Sequence, residues 1–485
     1  MMSHRTRLGL RLMVASVFLS RAADAQIESA LISKLSFNLS NPGGKSLAMG
    51  GAFTAIADDA TTALANPAGL GLLSAIEVGI SGKRFDETIG LVTARSTASG
   101  SLTAAYPAPR AVNSDIGGTN GSLEFAGVVV PISRRLVAAV AYAENLRFSG
   151  DPGPDGYQYI EFRDNRSGGV TRRDYLYEYR EYGSVSLANR LLALSLGFRV
   201  NERLRIGAGL TLNRTTFSLD GDAGGPHRIV NTNFTSPTSV DTKVVNMSVD
   251  GFGKTKPGFI VGVHADLVEG GTLTVGAVYR SAPKTTGTFL LTGDVPAALA
   301  GPLVHSYSRP VSFSVPRDAA LGLAVHPFPG LTIAGELQWI AYSDIADASL
   351  PVVSYSGFVG PSAGFFVDGA LATMRPPDDV FVPRIGFEYV ASANPVRLAF
   401  RVGYHREPAR GVTASLAVKD ASGASFDMTD PPYSAGVKTV FDGGRADDRF
   451  TGGLGLTLGR AFSLDFAFDV GRSSRQLAAS AFYRF

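Results

Sequence analysis

Near its C-terminus the chain alternates apolar and polar residues with a period of two. Phe462, Leu464, Phe466, Phe468 and Val470 fall on one face of an extended strand, against Ser463, Asp465, Ala467 and Asp469 on the other. The same pattern puts Leu454, Leu456 and Leu458 opposite Gly453, Gly455 and Thr457, and Val396, Leu398, Phe400, Val402 and Tyr404 opposite Arg397, Ala399, Arg401, Gly403 and His405. It recurs where Leu192, Leu194, Leu196 and Phe198 face away from Ala193, Ser195, Gly197 and Arg199, and where Leu204, Ile206, Ala208, Leu210 and Leu212 face away from Arg205, Gly207, Gly209 and Thr211. A period of two is the signature of a strand with one apolar and one polar face.

A soluble β-sandwich also alternates, so length and spacing decide. These segments run about ten residues or more, which is what a tilted strand needs to cross a bilayer. They come in pairs around short turns at Pro131–Arg134, Asn201–Glu202, Val268–Gly271, Pro327–Gly330, Ser392–Pro395 and Gly459–Arg460. Long polar connections fall at 85–121, 149–186, 218–253, 293–309, 344–379 and 408–448. Short turns on one side and long loops on the other are the layout of an outer-membrane barrel. The segments 74–84, 122–131, 135–148, 187–200, 203–216, 254–267, 271–290, 310–326, 331–343, 380–391, 395–407, 449–459, 461–471 and 475–485 predict an all-β, antiparallel transmembrane β-barrel of about fourteen strands.

The N-terminus agrees. His4, Arg5, Arg7 and Arg11 precede the apolar run Leu12–Leu19, and Ala23-Asp24-Ala25 fits a small-x-small cleavage site, so residues 1–25 read as a secretory signal peptide. Four Arg against Asp24 in that segment account for the whole formal charge of +3. The mature part is close to neutral, which removes the support for a nucleic-acid partner. The chain has no Cys, so disulfides and cysteinyl metal sites are excluded. No later stretch reaches about 18 uninterrupted apolar residues, which argues against membrane helices. The sequence predicts no cofactor and no resident metal. The last five residues, Ala481 to Phe485, end on an aromatic with Tyr483 two before it, resembling the C-terminal signal read by the barrel assembly machinery of the bacterial outer membrane.

Residues 26–73 precede the first strand of the barrel at 74–485. They are crowded with Gly and Ala and are too short to build a core of their own. A fourteen-strand lumen is wider than its own side chains can fill, so this segment is expected inside it as a hatch, with small residues letting its backbone approach the wall. Its candidate residues are Gly50, Gly51, Asp58, Asp59, Asn66, Pro67 and Ala68. Asn66-Pro67 is expected to shape a turn, because the residue before Pro is pushed to extended backbone. Asp58 and Asp59 are expected to bond hatch backbone or wall arginines.

The run from Gly43 to Leu73, with Ala57-Asp58-Asp59 in its middle and Asn66-Pro67-Ala68 near its end, resembles the N-terminal hatch of the long-chain fatty acid and hydrophobic-compound transporter family of the outer membrane (FadL/TodX type). Residues 315–344 and 380–390 also resemble late strand pairs of that family. The resemblance implies a monomeric, hatch-plugged channel without enzymatic activity. Its solutes would be long-chain fatty acids or similar apolar compounds, captured at extracellular loops facing lipopolysaccharide. They would leave sideways through a gap in the wall, or inward when the hatch shifts.

Two loops are unexpectedly apolar, at 294–304 and 356–374. Exposed apolar loops mark binding surfaces, which nominates Phe358, Phe365, Phe366 and Val367 as a capture groove, with simple loop packing as the alternative. Arg199, Arg205, Glu336, Arg384, Glu388, Arg397, Arg401 and His405 point inward by alternation. They would either bind a carboxylate head group or form a structural ladder of ion pairs, the expected state of a charged lumen. Gly360-Pro361-Ser362-Ala363-Gly364 satisfies G-x-S-x-G without the strand and helix that motif needs, so a hydrolase is disfavoured. Asp220-Gly221-Asp222 lacks the Glu of a calcium loop. The second functional class left open is a docking barrel for protein export.

Overall fold

The structure is a computed structural model of the full chain. It describes residues 42–91, 114–150, 157–167, 170–223, 226–231, 238–241, 245–281, 283–293, 306–345, 350–351, 373–375, 378–409, 413–415, 417–419, 425–427, 446–472 and 474–485. The signal segment, both apolar loops with Phe358, Phe365, Phe366 and Val367, and the motif around Ser362 lie outside the described residues.

Fourteen antiparallel strands form the wall. They are β1 (Glu77–Leu91), β2 (Ser114–Pro131), β3 (Leu136–Gly150), β4 (Val170–Arg199), β5 (Leu204–Ala223), β6 (Thr255–Asp266) and β7 (Leu273–Arg280). The circuit continues through β8 (Asp318–Val325), β9 (Leu331–Ile340), β10 (Val380–Ala393), β11 (Val396–Glu407), β12 (Asp447–Leu458), β13 (Phe462–Val470) and β14 (Ser474–Arg484). The ladder between β1 and β14, from Glu77 opposite Arg484 to Glu87 opposite Ser474, closes the barrel. Every expected strand is present in the expected order. Above β4, the strand Tyr157–Ser167 pairs back on the first half of β4 and lengthens one long loop into a hairpin.

The alternation sorts the faces as lipid requires. On β13, Phe466 is 58% exposed while Asp465 is 6%. Leu194, Leu210, Phe259, Leu321, Phe400 and Leu454 stand on the outer face, whereas Ser195, Thr211, His264, Glu336, Arg401 and Arg449 are buried inside. The polar groups are the buried ones, which inverts the arrangement of a soluble protein and matches a barrel with a filled lumen.

Two segments read as single strands are broken. β7 ends at Arg280 and resumes at Lys284–Gly293; β8 is preceded by Ser306–Ser314. The breaks fall at Pro283 and Pro316, each lacking the N–H that a central strand must donate.

Candidate functional site

Residues 42–73 fill the lumen. They contain two helices, α1 (Gly44–Ala48) and α2 (Thr62–Ala65), and a 3₁₀ turn at Pro67–Leu72. Helices of five and four residues do not hold themselves together in isolation. Most of the segment is nonetheless fully buried, with Met49, Phe53, Ala57, Ala63, Asn66 and Leu70 at 0% exposure. Buried backbone groups need partners, and here the wall supplies them.

Glu336 accepts from the N–H groups of Phe53 and Thr54 at 3.0 and 2.9 Å. His264 and Thr274 reach the carbonyl of Ala55 at 3.0 and 3.1 Å. Ser195 donates to Ala63 O at 2.7 Å, Thr451 to Ala48 O at 2.9 Å, and Arg199 to Gly71 O at 2.8 Å. Glu124 and Ser480 accept from Gly43 and Gly44, each at 3.1 Å.

One side of the hatch is bridged by a chain of side chains. Arg384 donates to Gly50 O at 3.3 Å and to Gln338 Oε1 at 2.7 Å. Gln338 donates to Asp318 at 2.9 Å, and Arg280 to the same Asp318 oxygen at 2.6 Å. Arg280 then donates to Leu64 O at 3.1 Å and Ala65 O at 2.5 Å.

The wall also makes room. A Cβ at Gly207 would lie 2.2 Å from the carbonyl carbon of Pro67, one at Gly276 2.2 Å from Thr54 O, and one at Gly403 2.3 Å from Gly50 N. The inward glycines are therefore the seats on which hatch backbone rests. Gly50 itself has a φ of +67°, and a Cβ there would meet Tyr404 N at 2.9 Å, so both sides of that contact need glycine.

The expected hatch residues fall as follows. Asn66 is extended, accepts from Ala68 N at 3.2 Å, and donates to Thr54 O and to the wall carbonyl Val263 O, both at 3.0 Å. It shapes the turn and also ties it to β6. Gly51 has a φ of +78°, and a Cβ there would meet the Arg384 guanidinium. Asp59 accepts from the N–H and hydroxyl of Thr61, as expected of a group bonding hatch backbone. The Asp58 side chain instead pairs with Lys45 at 2.8 Å, a hatch lysine rather than backbone or a wall arginine.

Of the inward candidates, Arg199, Glu336 and Arg384 hold hatch backbone, as above. Arg205 bonds Asp266 at 3.0 Å. Arg401 bridges Glu388 and Asp465, both at 2.6 Å. His405 lies 3.8 Å from Glu407 and 4.0 Å from Asp469. Arg397 is exposed beside the turn joining β10 and β11. The structure adds Glu77, Glu124, Ser195, His264, Thr274, Arg280, Asp318, Gln338, Thr451 and Ser480 to the wall residues that engage the hatch or its partners. In the sequence their one signal was a polar residue on an inward face.

The wall has a gap beside the hatch. The β2–β3 ladder runs from Pro131 opposite Val137 to Phe125 opposite Ala143 and stops there, although both strands continue. Just beyond it Asn145 is bulged out of the β3–β4 register. A bulge bends its strand and ends pairing. Glu124, which holds Gly43, sits at the foot of the gap. The adjoining cavity of ≈ 30 Å³ is lined by Pro42, Leu64, Glu144, Asn145, Asn213 and Arg280 among others, room for a water or two and for no larger solute.

Burial pushes the Asp59 carboxyl up to about 7; Asp58 and Glu77 add to the rise, and Lys45 and the Thr61 hydrogen bond oppose it. A released Asp59 titrates near 3.9. Between those limits the seated hatch holds a proton that the released one gives up, so seating weakens as pH rises from about 4 to about 7. Residues 43–73 are thus expected to resist protease better at about pH 5 than at about pH 8, with Asp59→Asn flattening the difference. Equal pH slopes in the two proteins would clear Asp59 of the effect.

Residues 170–373 match the profile of a family described as outer membrane protein transport protein (OMPP1/FadL/TodX). The fold is shared with solved structures. One is a Pseudomonas aeruginosa FadL homologue, 15% identical over 93% of this chain and 99% of that one, with a TM-score of 0.56. The CymD monoaromatic hydrocarbon channel is 16% identical over 93% and 99%, TM-score 0.53. The Ralstonia pickettii toluene transporter TbuX is 16% identical over 92% and 99%, TM-score 0.53. No curated protein sequence matches the chain. The resemblance to the FadL/TodX family stands, in the match over residues 170–373 and in the shared fold. The matched family is one of transport proteins, not of enzymes.

Proposed function

We propose that this FadL/TodX-type barrel is a passive outer-membrane channel for small, uncharged hydrophobic compounds. The observation that carries the reading is the β2–β3 gap next to the hatch anchor at Glu124. A solute held above the hatch has a way sideways into the bilayer there, without crossing the water of the periplasm. The lipopolysaccharide leaflet resists apolar solutes, and an open aqueous pore offers them no binding energy. A plugged barrel with an apolar side exit answers both. The relatives described as a monoaromatic hydrocarbon channel and a toluene transporter support the same chemistry.

The lumen favours uncharged solutes over fatty acids. Arg199, Arg205, Arg280, Arg384, Arg401 and Arg449 all donate to hatch carbonyls or to carboxylates, so a carboxylate head group would have to displace an existing partner. Capture is assigned to the apolar loop carrying Phe358, Phe365, Phe366 and Val367, and barrel assembly to the signal ending at Phe485.

Purified protein, exchanged out of alkyl-chain detergent, should bind toluene saturably and bind a long-chain fatty acid less well. Phe365→Ala with Phe366→Ala should weaken toluene binding about tenfold, the loss expected when two aromatic binding contacts are removed. Tighter binding of the fatty acid would move the assignment to an acid carrier. Saturable binding of neither would favour the docking barrel for protein export.

A further inference from the structure

A second irregularity in the wall begins two strands on from the β2–β3 gap. The β5–β6 ladder ends at Arg214 opposite Thr255, and pairing to β5 resumes only at Asp220 opposite Ser248. Next door, the β6–β7 ladder ends at Ile260 opposite Arg280, and the following pair is Asp250 opposite Thr288. One strand further on, Arg280 pairs with Asp318 and Lys284 with Ser314, leaving Ser281, Pro283 and residues 315–317 outside both ladders. Three neighbouring ladders are thus interrupted side by side. Among the described residues, Phe259 and Ser281 stitch the middle of the break, and one of their two bonds uses the Ser281 hydroxyl in place of a carbonyl.

The interruption is filled by one side chain. Phe252 packs edge-on against Phe217 of β5, with ring centroids 5.7 Å apart, and covers Gly287, where a Cβ would lie 2.3 Å from the ring. Its neighbours Gly251 and Gly253 have φ values of +88° and +105°, conformations open to glycine and strained for other residues. Phe252 is therefore a bulky apolar plug on a short segment with a glycine on either side.

Height and lining indicate what passes. On β6 and the residue after it the lipid-facing apolar residues are Phe259, Val261, Val263 and Leu267, a span of about 20 Å along a tilted strand. The break begins just above Phe259, at the outer edge of the apolar band. Behind it lies the cavity that adjoins the β2–β3 gap, for Phe259, Ser281, Pro283 and Pro316 line that cavity together with Ala143 and Asn145. One small cavity beside the hatch thus touches both irregularities of the wall.

We infer that the break between β5 and β8 is a second lateral portal, gated by Phe252, through which the fraction of small apolar solute that does enter the outer leaflet reaches the cavity beside the hatch once that cavity widens. The inference rests on the channel reading. It adds a way in from the membrane itself, separate from capture at the extracellular loops.

The cysteine-free chain permits a direct test with radiolabelled toluene on intact cells. Asp250→Cys with Thr288→Cys joins two directly paired positions, close enough on antiparallel strands for a disulfide, and pins the segment that carries Phe252. Oxidation should slow uptake at least about threefold, as expected when a gating segment is locked, and reductant should restore it. Phe252→Ala should speed uptake to a similar degree by removing the plug. If the oxidised protein binds toluene normally and transports it at the reduced rate, the portal is wrong and the channel reading survives. If Phe252→Ala leaves uptake unchanged, Phe252 is not the gate and the inference as stated fails. If unmodified protein neither binds nor transports toluene, both readings fall.

Discussion

Gly207→Val is expected to unseat the hatch while leaving the barrel standing. A Cβ at this position would lie 2.2 Å from the carbonyl carbon of Pro67 and 2.3 Å from the nitrogen of Ala68. The obstacle is backbone, so no rotamer change relieves it. Pro67 is fixed in turn by Asn66, whose side chain bonds Ala68 N and Val263 O. Either the hatch leaves its seat or β5 bows outward against its ladders to β4 and β6. The wall is the stiffer of the two, since its strand is paired along both edges, whereas α1 and α2 hold themselves by a single turn each. The expected cost to hatch seating is about 4 kcal/mol or more, the exceptional class of single substitutions. In planar bilayers the variant should pass ions where the wild type passes few, and in cells it should sensitise the outer membrane to bulky antibiotics. Gly121→Ala, a wall position with nothing within 4 Å of the added Cβ, is the control and should stay closed. A closed Gly207→Val barrel would mean that the wall yields instead of the hatch.

That contact shows where the sequence was legible and where it was not. Alternation is a local property, and it sorted the two faces of β13 correctly down to Phe466 outside and Asp465 inside. The inward glycines were read as lumen face, which they are. Their reason for being glycine was hidden, because it lies in the backbone of a segment more than a hundred residues away. Gly207 waits for Pro67 and Gly276 for Thr54, and no spacing along the chain records such a pairing. Asn66-Pro67 was legible as a turn because Pro restricts its neighbour locally; the bond from Asn66 to Val263 was not, being a matter of which strand stands opposite.

The breaks in the wall had a signal that alternation overran. Segments 271–290 and 310–326 alternate well enough to pass as single strands, yet each contains a Pro where a central strand must donate. Giving Pro283 and Pro316 their full weight would have divided both. Asp58 resolves differently from expectation for a related reason. A wall arginine, Arg484, does lie nearby, but it donates to Glu77 and to the backbone carbonyl of Asp58, and the Asp58 carboxylate is left to Lys45.

Asp318→Ala should loosen the hatch through a second set of wall contacts. Asp318 is fully buried and accepts both the Arg280 guanidinium and the Gln338 amide on one oxygen. Arg280 presents its remaining donors to Leu64 O and Ala65 O, and Gln338 orients Arg384 toward Gly50 O. Removing the carboxylate takes away the anion that the buried Arg280 pairs with, and both ends of the chain lose their orientation. Breaking a buried pair from one side typically costs about 3–5 kcal/mol. The loss should appear in the hatch before the wall, since β7 and β8 keep their ladder from Leu273 to Arg280. A single cysteine introduced at Ala63, fully buried in the seated hatch, should react with a maleimide far faster in Asp318→Ala than in the parent. Adding Arg280→Met to Asp318→Ala should recover much of the protection, because an apolar replacement of both partners leaves no stranded charge. If the single variant labels no faster than the parent, the side-chain chain from Gly50 to Ala65 is not what holds the hatch. If the double variant labels as fast as the single, the carbonyl bonds of Arg280 matter more than its buried charge, and the hatch is held by hydrogen bonding rather than by the ion pair.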